Sequence, residues 1–263
     1  MLPANIAAYI SNQETGQRLE GIYDPCIKGI RKLAKSQCAN KDLRLYMDAI
    51  LNDNITMIAV DGLMGTGKTS TIVQHICDTL SDVNLKSKPQ ENPSVLISKP
   101  QFLSGGEQYG FLPGDIDEKL DPTLQSFIQY FDRFHQAGYH KLRETGIVKL
   151  LPLGYIRGLD AENVMVVIDE CQNTKELISV ATRRAKKSKF FFLGDTSPFQ
   201  IDRKGNTGEN NGLTHLIDLL KGASYFQYIE MKTLDHIVRS VEVVDIIRRL
   251  FSKYGQNPQE WII

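Results

Sequence analysis

The chain has 263 residues, 41% of them hydrophobic, which is ample for a sizeable core and within the range of a single α/β domain carrying insertions. Lysine plus arginine equal aspartate plus glutamate at 31 each, so no global basic field argues for nucleic acid and any such contact must come from a local patch. The four cysteines (Cys26, Cys38, Cys77, Cys171) form no C-x-x-C pair and have no histidine at metal-ligand spacing, no run approaches the about 18 apolar residues of a membrane span, and no basic-then-apolar signal pattern opens the chain, so the expectation is a soluble, cytoplasmic protein with reduced thiols and no membrane partner.

Residues 1–40 are polar and weakly patterned and read as a helical N-terminal extension, with helix over Asp24–Lys35; residues 41–263 form the main domain. Asp42–Leu51 predicts a helix leading into the first strand. Strands are expected at Ile55–Val60, Ser94–Ser98, Val164–Ile168, Phe190–Leu193 and Tyr225–Met231. Helices are expected between them at Ser70–Leu80, Thr123–Ala137, Lys175–Ala185, Leu213–Leu220 and Val241–Tyr254. Short continuous apolar strands alternating with helices imply an α/β fold with a mainly parallel central sheet flanked by helices. The stretch 101–157 is longer than one crossover helix needs and is dense in turn residues, so it reads as an insertion, and insertions of that length are usually functional.

Between the first strand and the second helix lies GLMGTGKT, Gly62–Thr69, which matches the phosphate-cradling pattern G-x-x-x-x-G-K-[ST] in the strand-loop-helix setting that pattern requires. Glycines 62, 65 and 67 allow tight, partly left-handed turns that aim successive N–H groups at a phosphate, and the following helix adds the positive end of its dipole. Thr66 and Ser70 complete the binding loop, Lys68 would reach the β- and γ-phosphates, and the Thr69 hydroxyl would ligate Mg²⁺.

Hydrolysis needs a second, acidic cluster. Val164–Ile168 runs into Asp169-Glu170, which places two carboxylates at the C-terminal edge of the sheet, where ligands of such folds bind. Asp169 would hold Mg²⁺, directly or through water, and Glu170 would orient and deprotonate an attacking water. Phe190–Leu193 runs into Gly194-Asp195, and Gln200 lies five residues beyond Asp195, where an amide can sense the γ-phosphate or the lytic water. Arg239, after the last strand, is a candidate for the cation that neutralises charge on the transferred phosphoryl group; an ordinary helix-terminal arginine is the competing reading.

Other features read as structural. Arg183, Arg184, Lys186, Lys187 and Lys189 suggest a solvated basic helix face rather than a polymer contact. Phe127, Tyr130, Phe131 and Phe134 recur at helical spacing, which core packing explains better than base stacking. The five histidines form no ligand pattern, and the apolar end Trp261-Ile262-Ile263 reads as a docking segment without a stated target.

Taken together, the segments GEQYGFLPGDIDEKLDP (106–122), PLGYIRG (152–158), VIDECQNT (167–174), TRRAKKSKFFFLGD (182–195) with FQID (199–202), NGL (211–213) and IVRS (237–240) resemble the PhoH-like family of P-loop ATPases, which is related to the RecA-like lobe of superfamily 1 helicases. The resemblance spans roughly residues 41–250. It implies one RecA-like lobe, ATP and Mg²⁺ as cofactors, Lys68 and Thr69 as phosphate and magnesium residues, Asp169 and Glu170 as the acidic pair, Gln200 as phosphate sensor and Arg239 as a late arginine. It also suggests RNA or single-stranded nucleic acid as the polymer, with Lys99 at a strand end where helicase relatives touch the backbone. Two departures stand out: Asp42 and Leu43 occupy the place where helicase relatives carry an adenine-reading glutamine, and Cys171 stands where the family usually has alanine. A single lobe makes unwinding by a monomer improbable, and a homo-oligomeric ring or chain, with Arg239 reaching a neighbour's nucleotide, would supply the second face. The alternatives are a nucleotide-gated assembly module with little turnover and a nucleoside kinase of the thymidine kinase type, which shares the D-E-x-Q spacing of Asp169–Gln172 but usually carries a zinc ribbon absent here.

Overall fold

Four segments, Met57–Gly62, Val95–Ser98, Met165–Ile168 and Lys189–Gly194, are buried at nearly every position. A strand with no polar face requires a sheet covered on both sides, and that is how the chain folds. The computed structural model describes residues 7–11, 18–24, 29–32, 41–80, 94–100, 124–202 and 205–254. In chain order the elements are β1 (Ala7–Ser11), β2 (Arg18–Asp24), β3 (Gly29–Lys32), α1 (Lys41–Leu51), β4 (Met57–Gly62), α2 (Lys68–Leu80), β5 (Val95–Ser98), α3 (Gln125–Phe134), α4 (Gly138–Glu144), β6 (Val148–Leu150), α5 (Leu153–Ile156), β7 (Met165–Ile168), α6 (Leu177–Ala181), β8 (Lys189–Gly194), α7 (Gly212–Leu220), β9 (Phe226–Met231) and α8 (Val241–Tyr254).

Six strands form one sheet in the order β6-β5-β7-β8-β4-β9, and every pairing is parallel. Residues of α1 to α4 pack a hydrophobic cluster on one side, with Leu43, Tyr46, Ile72, Ile76, Phe127, Phe131 and Tyr139 against Ile58, Val60, Val167 and Phe191. Residues of α5 to α7 pack a second cluster, with Ile156, Leu177, Val180, Leu213 and Leu216 against Ala59, Val166, Ile168 and Phe192. Because β4, β8 and β7 are adjacent and point the same way, their C-terminal ends bring residues about 100 positions apart in sequence to one edge.

Several expectations change in detail. At the described residues of 24–35, Asp24 and Gly29–Lys32, the chain is strand rather than the helix expected; β3 pairs antiparallel with β2, which itself pairs with β1. Pairing across the meander satisfies the backbone of these segments. Within 124–157, α3, α4 and the edge strand β6 form a crossover that carries the chain from β5 to its neighbour; Gly106–Pro122 lies outside the described residues. The helix expected over 175–185 stops at Ala181, because the chain beyond it pairs with 161–163: Ala185 N–H donates to Ala161 O and Asn163 N–H to Lys186 O. Arg183, Arg184, Lys186 and Lys187 therefore lie in the turns between α6 and β8, not on a helix face, and Lys189 opens β8.

One of those basic residues has a structural task. Lys189 Nζ donates to the carbonyls of Ala49 (3.0 Å), Ile50 (2.6 Å) and Asn52 (2.9 Å), closing the C-terminal end of α1, which has no basic residue of its own in its last turn. Lys189→Met should leave three carbonyls short of a donor and lower the free energy of unfolding in urea by about 1–3 kcal/mol. An unchanged unfolding midpoint would show that water replaces the lysine without loss.

Candidate nucleotide and metal site

The phosphate-cradling loop is built by β4, the turn after it and α2. Gly65 (φ +84°) and Gly67 (φ +89°) carry the left-handed conformations that an L side chain resists. Gly62 does not; it belongs to β4 beside Met231, and a Cβ there would lie 2.8 Å from the Met231 Cβ, so its lack of a side chain serves strand packing rather than the turn expected of it. Thr66 is fully buried with its hydroxyl donating to Leu63 O (2.8 Å), and the Ser70 hydroxyl donates to Gly67 O (3.1 Å), so both side chains brace the loop. The first α-helical bond runs from Thr71 N–H to Gly67 O (3.0 Å), which places the amides of Lys68, Thr69 and Ser70 ahead of the helical ladder. The Lys68 ammonium donates to the carbonyls of Gly62 and Leu63.

Opposite the loop, the turn after β7 presents the acidic pair. Asp169 accepts the Thr69 hydroxyl on Oδ2 (3.2 Å) and the Glu170 N–H on Oδ1 (3.0 Å). Burial raises the Asp169 pKa above the ordinary carboxylate range, the neighbouring Glu170 charge raises it further, and Lys99 and Lys68 oppose both. Glu170 sits in the left-handed region (φ 53°, ψ 40°), a strained conformation for a side-chain-bearing residue that reverses the chain into a short 3₁₀ turn, Cys171–Asn173. Its carboxylate is ion-paired with Lys99 (3.3 Å) and accepts Gln172 Nε2 (2.6 Å). Burial pushes the Cys171 thiol well up and its Sγ donates to Ile168 O (3.2 Å), so the cysteine beside the acidic pair is held as an inert thiol.

Gln172 is the residue that motif reasoning left without a task. It is fully buried; besides Glu170 its amide donates to Gln200 O (2.9 Å) and accepts the Asp195 N–H (3.1 Å). Asn173 adds a second stitch, accepting Asp202 N–H (2.8 Å) and donating to Asp202 Oδ2 (3.3 Å). Gly194 makes room for this, since a Cβ there would lie 2.7 Å from Gln172 Oε1. The loop bearing Gln200 is thus tied to the turn bearing Glu170. The only available signal was the two-residue spacing of Glu170 and Gln172, and its meaning depends on β7 and β8 being neighbours.

A cleft of about 670 Å³ runs between these two walls, lined by Gly65, Gly67, Lys68 and Thr69 on one side and Asp169, Glu170, Asp195 and Gln200 on the other. Arg239 lines the same cleft. Val238 N–H donates to Gly65 O (2.9 Å), and the Arg239 stem lies over Gly65, so the arginine reaches the loop of its own chain. His236 Nε2 meets Asp42 Oδ2 at 2.6 Å and pins this segment to α1, a task that the histidine count did not suggest. Leu43 is fully buried in the core.

The donor set suits a triphosphate with Mg²⁺. A hydroxyl, Thr69, and a carboxylate, Asp169, are the protein groups that would hold the cation, with phosphates and water completing its shell. Asp195 supports the fit: it is 4% exposed, Oδ1 accepts the Ser197 N–H (2.9 Å), and Oδ2 is buried with no partner among the described residues, as a carboxylate awaiting a cation's water shell would be.

The raised pKa of Asp169 has a sign that can be measured. A carboxyl that binds its proton more tightly folded than unfolded contributes stability below the unfolded pKa, and that contribution is lost as pH rises toward and through the folded pKa, so at neutral pH a carboxyl at 169 is less favourable than a neutral amide. Asp169→Asn should therefore melt higher than wild type at pH 7 in EDTA, and should lose the further rise that Mg²⁺ with ATP gives the wild type. A variant that melts lower in EDTA would contradict the electrostatic account.

Comparison with known proteins agrees with this geometry. The family model described as PhoH-like protein matches residues 36–251. The PhoH-like protein of Bacillus subtilis (strain 168) is 32% identical over 192 residues, covering 71% of this chain and 55% of that one. The PhoH-like protein of Mycobacterium tuberculosis (strain ATCC 25618 / H37Rv) is 30% identical over 205 residues, covering 77% and 54%. Protein PhoH2 of Mycolicibacterium smegmatis is 24% identical over 227 residues, covering 85% and 50%. The chain thus spans about half the length of these curated relatives. Among solved structures, Pif1 helicase from Candida albicans aligns over 84% of this chain and 44% of that one at 12% identity, with a TM-score of 0.35. With a family model covering nearly all of the main domain, the chain belongs to the PhoH-like family.

Proposed function

We propose that this protein is a Mg²⁺-dependent ATPase whose turnover is coupled to RNA or single-stranded nucleic acid. The observation that carries the proposal is the meeting of Thr69 and Asp169 at 3.2 Å, with Glu170 at the next position and Lys68 on the facing loop. Thr69 and Asp169 would hold the cation, which when bound neutralises charge on the β- and γ-oxygens. The loop amides and Lys68 cradle the phosphates, Glu170 takes the proton of the attacking water, Gln200 reports the γ-phosphate, and Arg239 offsets charge on the transferred group within its own chain. Asp42 is engaged by His236 and Leu43 is core, so neither stands ready to read a base.

The Lys99–Glu170 pair favours coupling over constant turnover. While Lys99 holds Glu170 at 3.3 Å, the base is partly neutralised; a polymer phosphate that competes for Lys99 leaves the carboxylate to the water. A ring of copies remains part of the proposal for polymer handling, without needing to lend Arg239. For place of action we propose the cytoplasm; among the described residues no helix is long and apolar enough to cross a membrane.

Phosphate release from Mg²⁺-ATP should rise on adding single-stranded RNA or DNA, and Glu170→Gln should lower it by about 10²–10⁴-fold while ATP still binds. Wild-type turnover in the variant would remove Glu170 as the base. Tight ATP binding by the wild type with no turnover would favour the nucleotide-gated module instead.

A further inference from the structure

The cleft has a second end. Besides the phosphate loop and the acidic turn it is lined by Lys99 and by the edge of α3, at Tyr130, Arg133 and Phe134. The four aromatic residues of α3 divide into two rows. Phe127 and Phe131 are fully buried in the core, whereas Tyr130 and Phe134, one position round the helix, are half-buried and stacked on each other with centroids 5.9 Å apart and planes within 4°. The Arg133 guanidinium lies 5.6 Å from the Phe134 ring centroid. A flat, half-exposed ring pair with one cation beside it and a second lining the same cleft fits a ligand that has both π-faces and phosphates.

Lys99 follows β5, on the opposite side of β7 from β4, while α3, which packs against α2, adds the ring pair to the lining of the same cleft. A polymer with repeated bases and phosphates can meet the rings and both cations at once, and the KM for ATP distinguishes it from the nucleotide's own base. We infer that Tyr130 and Phe134, with Arg133 and Lys99, form a binding site for a single-stranded nucleic-acid segment, its bases stacking on the ring pair and its phosphates meeting the two cations. This rests on the ATPase reading above and gives it a polymer track that ends at the Lys99–Glu170 pair. Stacking on π-faces is tolerant of base identity, so the site takes RNA or DNA strands without strong sequence preference.

The test is fluorescence anisotropy of labelled oligouridylate and oligothymidylate, paired with steady-state ATPase kinetics, on the full chain and three variants: Tyr130→Ala with Phe134→Ala, Tyr130→Phe with Phe134→Tyr, and Arg133→Glu. The alanine pair should weaken oligonucleotide binding about tenfold or more, with the polymer-free kcat and the KM for ATP within about twofold of wild type. The ring-preserving swap should retain binding. Arg133→Glu, an exposed substitution that keeps the assay informative if the alanine pair does not fold, should weaken binding and flatten its salt dependence. Unchanged binding in the alanine pair and in Arg133→Glu overturns the inference. So does a raised KM for ATP with unchanged oligonucleotide binding, which would assign the rings to the nucleotide base. A wild type that hydrolyses ATP but binds no oligonucleotide overturns both this site and the polymer half of the function, while leaving the ATPase intact.

Discussion

Two adjacent carboxylates at the buried end of β7 set the terms for the rest of the site. Asp169 and Glu170 repel each other, and burial penalises the charge on Asp169 before any ligand is considered. Lys68, Lys99, the Glu170 N–H and the Gln172 amide are arranged around them as partial compensation. What remains uncompensated is negative charge beside the Thr69 hydroxyl, which a cation placed there would relieve. The left-handed Glu170 ends the strand at this point and turns the chain into the 3₁₀ segment that carries Gln172.

The fold makes that constraint communicable. Gln172 bonds the Glu170 carboxylate, the backbone of Gln200 and the backbone of Asp195, so the loop after β8 cannot shift without disturbing Glu170. Asp61 performs a similar service at the neighbouring strand ends, accepting the Thr196 N–H and hydroxyl and pairing with Lys232 at 2.6 Å. These bonds join the ends of β4, β7, β8 and β9.

The parts of this arrangement legible in the sequence were those with a local cause. Strands buried on both faces read as continuous apolar runs, and the phosphate loop needs Gly65, Gly67, Lys68 and Thr69 in one short stretch. β6 was not legible, because three residues of alternating burial carry too little pattern, and the first strands were missed because their pairing is set by partners elsewhere in the meander. Tyr130 and Phe134 share their i, i+4 spacing with Phe127 and Phe131; only the rotation of α3 against the sheet decides which row is core. Lys189 looks like one more surface charge in a basic run until the end of α1 is placed beside the start of β8. In each case the missing information was tertiary: which strand lies next to which, and which helix face is turned inward.

The most direct measurement is phosphate release from ATP by the full chain, in Mg²⁺ and in EDTA, for wild type and for Lys68→Ala. The account predicts hydrolysis by the wild type that is abolished by EDTA and by the substitution. A wild type that releases no phosphate with or without single-stranded polymer, or a Lys68→Ala protein that hydrolyses ATP at the wild-type rate, would contradict it.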